Sequence, residues 1–162
     1  SVDLFAGYHG LIERIDAYGL RFIVNPSGFG DLPDSVPVIS NEATWDSLRV
    51  GLSLRSTPVP KARFLLDLAW VPYAKLYNED SHWLRSDLGP APNVFIDGRG
   101  SGVHVELDLR YRIDPRWEAG AGFRYWWMHA ERGEVGIGGV IVPLAEFETK
   151  RYGFMLTLTR MW

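Results

Sequence analysis

The segment 103–113 reads Val-His-Val-Glu-Leu-Asp-Leu-Arg-Tyr-Arg-Ile, and it decides the fold class. Its odd positions are all apolar or aromatic, and its even positions carry charged residues or histidine. A period of two is that of an extended strand, because successive side chains point to opposite faces. The segment therefore predicts a β-strand with one apolar face and one charged face.

The same alternation recurs along the chain. Residues 114–116, Asp-Pro-Arg, form a turn signal, and the next segment again alternates, with Phe123, Tyr125 and Trp127 on one face. The first segment alternates less regularly than the others. Six strands are predicted in all, at residues 2–12 with a less regular continuation to about 24, 47–55, 63–70, 103–113, 116–127 and 151–162.

The predicted connections alternate in length. Those at 56–61 and 114–116 are short, whereas those at 25–43, 78–102 and 129–149 are long and rich in Gly, Pro, Asp and Asn. Transmembrane β-barrels have short periplasmic turns and long extracellular loops. We therefore expect an all-β fold, an antiparallel transmembrane β-barrel in a bacterial outer membrane, with its last strand ending in the periplasm at Trp162.

Three features favour lipid outside the sheet. Aromatic residues lie near the ends of the apolar faces, as in an interfacial girdle: Trp70, Tyr111, Trp127 and Trp162. The alternating runs are long enough to cross a bilayer at a tilt. The polar faces mix arginine with acidic residues, which suits a lumen containing ion pairs. The alternative is a soluble barrel of the lipocalin kind, with the apolar faces turned inward around a ligand cavity.

Composition limits the other classes. With 162 residues, the chain is expected to form one domain, 1–162. A net charge of -3 gives no reason to expect a nucleic acid partner, and the absence of cysteine excludes thiol catalysis. No apolar run is long enough for a membrane helix. No cofactor is expected.

Six strands are fewer than the roughly eight of the smallest single-chain membrane barrels. An open edge in lipid would leave backbone groups unpaired at several kcal/mol each. We therefore expect the six strands to belong to a larger barrel of about ten strands, completed by another segment or by another chain. A hairpin at 16–19 would raise the number of strands to seven.

The candidate chemistry lies at the start of the long 78–102 connection. Asp80 and His82 are two residues apart, so in an extended segment they point to the same side. The carboxylate can orient the imidazole, which can then act as a base and activate water. The alternative is a solvated polar loop. If the alternation continued unchanged from Trp70, residues 80 and 82 would lie on the same, lipid-facing side as Trp70. A site that faces inward therefore requires a β-bulge, which we predict at Pro72.

The segment 78–82, at the outer end of a predicted barrel strand, resembles the omptin family of outer-membrane endopeptidases. The resemblance covers most of the chain as the C-terminal half of an omptin. Residues 6–8 resemble the opening of a middle strand of that barrel, 45–55 the next strand, and 103–127 the hairpin before the terminal strand. It implies a ten-stranded barrel in which Asp80 orients and His82 acts as base toward a peptide substrate, together with aspartates of the facing wall. Those aspartates belong to the family's N-terminal half, which this sequence does not cover.

The sequence departs from the family at Asn78, where omptins have an acidic residue that binds a basic substrate side chain. A preference for Arg or Lys is therefore not expected from this sequence. Two functions remain open: an omptin-like surface endopeptidase, or a non-catalytic barrel that serves as scaffold, partner subunit or small pore.

Three other features have weaker functional interpretations. His104 and His129 could join Asp80 or His82 near one rim, but no ligand spacing supports this, and no metal site is expected. The charged row from His104 to Arg112, with Glu118 and Arg124, is interpreted as a structural network, and His9 as part of the lumen wall. The apolar segment 134–146 could form paired strand extensions or a surface for a partner.

Overall fold

The computed structural model describes residues 1–21 and 30–160, which fold into one antiparallel sheet. Each strand pairs with the next along the chain from β1 to β5, and both β6 and β7 pair with β5. The fold is therefore all-β, as predicted. The strands are β1 (Val2–Leu20), β2 (Leu32–Val59), β3 (Ala62–His82), β4 (Val94–Arg112), β5 (Trp117–Ile137), β6 (Val140–Pro143) and β7 (Phe147–Arg160).

Strands β6 and β7 lie along the same side of β5, so together they replace one long strand. β6 pairs with 134–137 and β7 pairs with 117–130. The turn before β6 contains Gly138 and Gly139, both at positive φ, a backbone conformation that glycine adopts readily. Of the two interpretations of 134–146, the paired strand extension is present over 134–143. The six predicted strands correspond to β1 to β5 and the composite of β6 and β7.

The strands are longer than predicted. β2 begins at Leu32, β3 reaches His82 and β5 reaches Ile137, so much of the three predicted long loops is strand. The hairpin considered at 16–19 is not formed, because β1 continues to Leu20 with local register shifts. The predicted end of the last strand at Trp162 and residues 25–29 of the first loop lie outside the described residues.

The sheet is curled, since side chains of strands that are not neighbours meet on one of its faces. Trp45 of β2 donates from Nε1 to the Thr149 hydroxyl of β7, at 3.3 Å. Glu13 of β1 forms an ion pair with Arg151 of β7. This shared face is the interior of the curl. The sheet is open, because no backbone pairing joins β1 to β7 among the described residues.

In the lower half of the sheet, near the short turns, the outer face is apolar and the inner face is polar. Leu109, Phe154 and Leu156 point outward, and the last two are 84% and 86% exposed. On the inside, Arg124 binds Glu106 at 2.8 Å, and Arg110 binds Asp108 at 2.8 Å. In this part of the sheet the apolar side chains therefore do not pack around a dry centre.

In the upper half this polarity is reversed. Outside, Arg14 pairs with Glu42 at 2.6 Å, and Lys75 pairs with Asp97 at 3.7 Å. Inside is a buried apolar cluster around Trp45, whose members come from β2, β3, β5 and the segment before β7. The cluster contains Ala43, Trp45, Val71, Ala74, Leu76, Met128, Ala130 and Leu144.

The reversal arises in two ways. In β2 the side chains keep alternating, and the sequence itself changes phase, from outward Leu48 to inward Trp45. In β3 the apolar residues stay on even positions, but the register shifts between Val71 and Ala74, so that Leu76 points inward. The β-bulge predicted at Pro72 is therefore confirmed.

A glycine marks a further register shift, between β4 and β5. A Cβ on Gly100 would lie 1.7 Å from the carbonyl oxygen of His129, which is far inside any van der Waals contact. Only glycine allows the two backbones to approach so closely at this point.

Candidate functional site

Asp80 and His82 lie at the upper end of β3, above the apolar cluster. The bulge at 71–74 places the even positions of this part of β3 on the inner side, and Asn78, the next inward residue below Asp80, is only 1% exposed. Asn78 donates through Nδ2 to the carbonyl oxygen of Glu42, at 3.4 Å. Asn78 is thus part of the floor beneath the predicted pair.

The carboxylate of Asp80 accepts a hydrogen bond from Nδ2 of Asn41, its cross-strand partner on β2. In the part of the chain that the structure describes, no hydrogen bond or ion pair joins Asp80 to His82, and none joins another carboxylate to His82. The structure therefore places the two residues on one strand end but does not bring their side chains into hydrogen-bonding contact.

The backbone of His82 is held by Asn93, which is 8% exposed and directly precedes β4. Oδ1 of Asn93 accepts from the amide of His82 at 3.0 Å, and Nδ2 donates to the carbonyl oxygen of His82 at 3.3 Å. The amide of Asn93 also donates to the carbonyl oxygen of Asp80 at 3.0 Å. Because buried side-chain hydrogen bonds of this kind fix a loop, the end of β3 has a defined position.

Asn41 and Asn93 were not singled out from the sequence. Asn41 is distant in sequence from Asp80, and only the β2–β3 register brings the two together. The signal for Asn93 was modest: an asparagine after Pro92 within the predicted loop 78–102, a residue type that often hydrogen-bonds local backbone.

The outer wall beside the pair is polar. The hydroxyl of Tyr77 donates to the carboxylate of Glu79 at 2.8 Å, and this hydrogen bond raises the pKa of Tyr77 above its usual value, with a smaller contribution from burial. Both side chains point away from Asp80 and His82, since they occupy the odd positions of the strand. They therefore surround the site without entering it.

The four residues considered for a metal site are not brought together. His104 lies deep in the interior, not at the rim, since it pairs with Ala69 of β3 and Trp126 of β5 in the lower half of the sheet. His129 lies 3.7 Å from Glu146. Among residues 1–21 and 30–160, no cluster of three or more histidines and carboxylates could hold a metal ion.

The inward charged row is the structural network that was predicted. Besides the pairs within β4 and between β4 and β5, Arg63 of β3 binds Glu118 of β5, and Arg110 lies 3.8 Å from the same carboxylate. The side chain of Glu118 is 6% exposed. His9 also lies on the inner wall, as predicted, in edge-to-face contact with Trp126.

Comparison of the sequence with protein-family models and with curated proteins returned no match. The part of the chain that the structure describes contains no helix long and apolar enough to cross a membrane.

Proposed function

We propose that this chain forms a wall of an outer-membrane β-barrel, with lipid on the lower outer face and a polar lumen inside. The observation that carries the proposal is the exposure of a continuous apolar face, from Leu4 on β1 to Leu156 on β7, around an interior of ion pairs. Monomeric soluble proteins seldom expose apolar patches larger than a few hundred Å². Arg, Asp and Glu facing inward are usual in the lumen of such barrels.

The height of the apolar face supports the same proposal. The alternating segment 103–113 has eleven residues, and a rise of about 3.3 Å per residue gives it a length of about 33 Å. At the tilt of about 40° that is usual for membrane barrels, the segment would span about 25 Å, which matches the apolar band of those barrels. Tyr8, Trp70 and Trp127 lie toward its upper border and Tyr111 and Trp117 toward its lower one, as expected for two aromatic girdles.

The open edges support a role within a larger barrel. β1 and β7 each have one edge without a backbone partner in the described residues. In lipid each unpaired backbone group costs several kcal/mol, so membrane barrels close on themselves. We propose that further strands, from another segment or another chain, complete the barrel along these two edges.

The interior of this wall does not favour a pore. The cluster around Trp45 is buried, with Trp45 and Leu76 both at 0% exposure, and it occupies the inside of the curl above the charged row. A dry apolar layer of this kind opposes the passage of ions. Of the non-catalytic functions, scaffold or partner subunit is therefore preferred to pore.

Spin labels test which solvent covers each face. The chain lacks cysteine, so single cysteines can be introduced at Leu107, Asp108 and Leu109, with Arg99 as the control on the outer face above the apolar band. In vesicles we expect labels at 107 and 109 to be accessible to oxygen dissolved in lipid, and those at 108 and 99 to be accessible to a water-soluble relaxation agent. Equal water accessibility at all four positions would contradict the proposal.

A second candidate function is an omptin-like endopeptidase, and the bulge at 71–74 is the observation that favours it. Without that bulge, Asp80 and His82 would point to the outer face. In this proposal His82 is the general base that activates water, and Asp80 leaves Asn41 to orient the imidazole when a peptide binds. The facing carboxylates would come from the strands that complete the barrel.

Replacing His82 by alanine tests the enzymatic proposal in the complete barrel. Because general-base catalysis contributes about 10²–10⁴-fold, we expect kcat/KM for peptide cleavage to decrease by that factor. His129→Ala is the matched control, since His129 lies on the outer side and contacts Glu146. Peptides with basic and uncharged residues at the cleaved bond should be tested side by side. Cleavage by H82A at the rate of the parent protein would leave the non-catalytic wall as the function.

A further inference from the structure

A second cluster of polar side chains lies inside the lower half of the sheet, well below Asp80 and His82. It consists of His9 on β1, His104 on β4 and Arg49 on β2, beside Trp126 of β5, and is here called the lumenal histidine cluster. The rings of His9 and His104 are 5.3 Å apart between centroids. The strands that carry them are not neighbours in the sheet, so the cluster exists only because the sheet curls.

Four hydrogen-bonding atoms of this cluster have no partner within the described parts of the chain. His104 is 5% exposed, and neither of its ring nitrogens has a hydrogen-bond partner. Nδ1 of His9 and Nε of Arg49 are also buried without a partner. A buried polar group without a partner costs about 1–3 kcal/mol, so a ligand that bound these four atoms would recover part of that cost.

The charge of the cluster is also uncompensated. Arg49 is turned inward and lies close enough to both imidazoles to act on them electrostatically. Its guanidinium lies 5.4 Å from the centroid of the Phe5 ring, and it forms no ion pair within the described part of the chain. Four other inward arginines differ, since each binds a carboxylate: Arg63, Arg110, Arg124 and Arg151.

We propose that the lumenal histidine cluster binds one compact monovalent anion of the halide class. A neutral imidazole can donate one N–H, so His9, His104 and Arg49 together offer three or more donors and a net charge of +1. An anion would satisfy these donors and neutralise the guanidinium, whereas a metal cation would be repelled by it. Among the described residues no third metal-ligating side chain joins the two histidines, which agrees with this choice.

The indole of Trp126 contacts both imidazoles of the cluster. The indole of Trp126 stacks on His104 at 4.4 Å with an interplanar angle of 6°, and meets the edge of His9 at 4.3 Å. These contacts fix the positions of both imidazoles. A bound ion would connect β1 and β2 with β4, and so would brace the curl from inside.

Iodide provides the test, because it quenches the fluorescence of a tryptophan that it contacts. In the folded protein at constant ionic strength, with gluconate replacing chloride, we expect a saturable quenching component that Trp126→Phe removes. Arg49→Gln should weaken this component at least tenfold. Arg63→Gln is the matched control, because it removes an inward arginine that already has a partner, and it should leave the component unchanged.

Crystals grown in bromide provide a second readout that does not depend on any variant folding. We expect an anomalous peak within about 3.5 Å of ring nitrogens of both histidines, as for a hydrogen-bonded halide. Purely linear quenching, equal affinity in R49Q, or no anomalous peak in the cluster would overturn the proposal. Zn²⁺ binding that His104→Gln abolishes, with no halide effect, would overturn it in favour of a metal site.

Discussion

Replacing Trp45 by alanine is expected to lower the free energy of unfolding by about 3–5 kcal/mol, the range for large aromatic residues removed from a core. Trp45 has no exposed surface, and it lies at the centre of the upper apolar cluster. Its ring is 6.1 Å from that of Phe147, and its Nε1 donates to Thr149, so it links β2 to β7 across the interior. The measurement is denaturant unfolding in vesicles, followed by far-ultraviolet circular dichroism.

Trp83→Ala is the control for this substitution. Trp83 is 51% exposed just beyond β3, and its Nε1 donates to the hydroxyl of Ser40 at 3.0 Å. Removing one exposed hydrogen bond and little buried area should lower the stability by no more than about 1 kcal/mol. An equal decrease in the free energy of unfolding for the two variants would mean that the cluster around Trp45 is not the core of the upper half.

Leu156→Arg is expected to lower the free energy of unfolding in a bilayer by about 2–4 kcal/mol, as for arginine near the midplane on the lipid face of a barrel. Leu156 is 86% exposed and lies midway between Tyr152 and Arg160 on β7. On a face covered by water the same substitution would change stability by about 0.5 kcal/mol or less. Equilibrium refolding into vesicles measures the difference.

Tyr77→Arg is the matched control for Leu156→Arg. Tyr77 also points outward, but it lies above the apolar band, between charged side chains that include Glu79 and Asp97. An arginine there remains in water beside two carboxylates, so we expect a change of at most about 0.5 kcal/mol. A small effect for Leu156→Arg as well would refute lipid on the outer face.

The lower half of the sheet could be predicted from the sequence because one of its faces is apolar and the other is charged. In 103–113, Leu107 and Leu109 alternate with Glu106, Asp108 and Arg110 without interruption, and the structure has one face of each kind. The upper half was missed as strand because its polarity is reversed. In β2 the inward Trp45 and the outward Leu48 are out of phase, so no single period of two runs through the whole strand.

The candidate site was predictable only as far as local sequence determines it. Two local features were informative. The spacing of Asp80 and His82 predicted that both side chains lie on the same face of the strand, and the turn tendency of Pro72 predicted the position of the bulge. The hydrogen bond from Asn41 to Asp80 depends on the β2–β3 register, which pairs residues distant in sequence. The lumenal histidine cluster depends on the curl of four strands, which no local pattern contains.

The extra residue in β3 between Val71 and Ala74 limits how this strand can evolve. Losing one residue there would turn Lys75 and Glu79 toward the apolar interior and would expel Leu76 from it. Gaining or losing two residues would keep every side chain on its own side and would change only the height of the wall. We therefore expect natural variants of this protein to differ in length at this level by even numbers of residues.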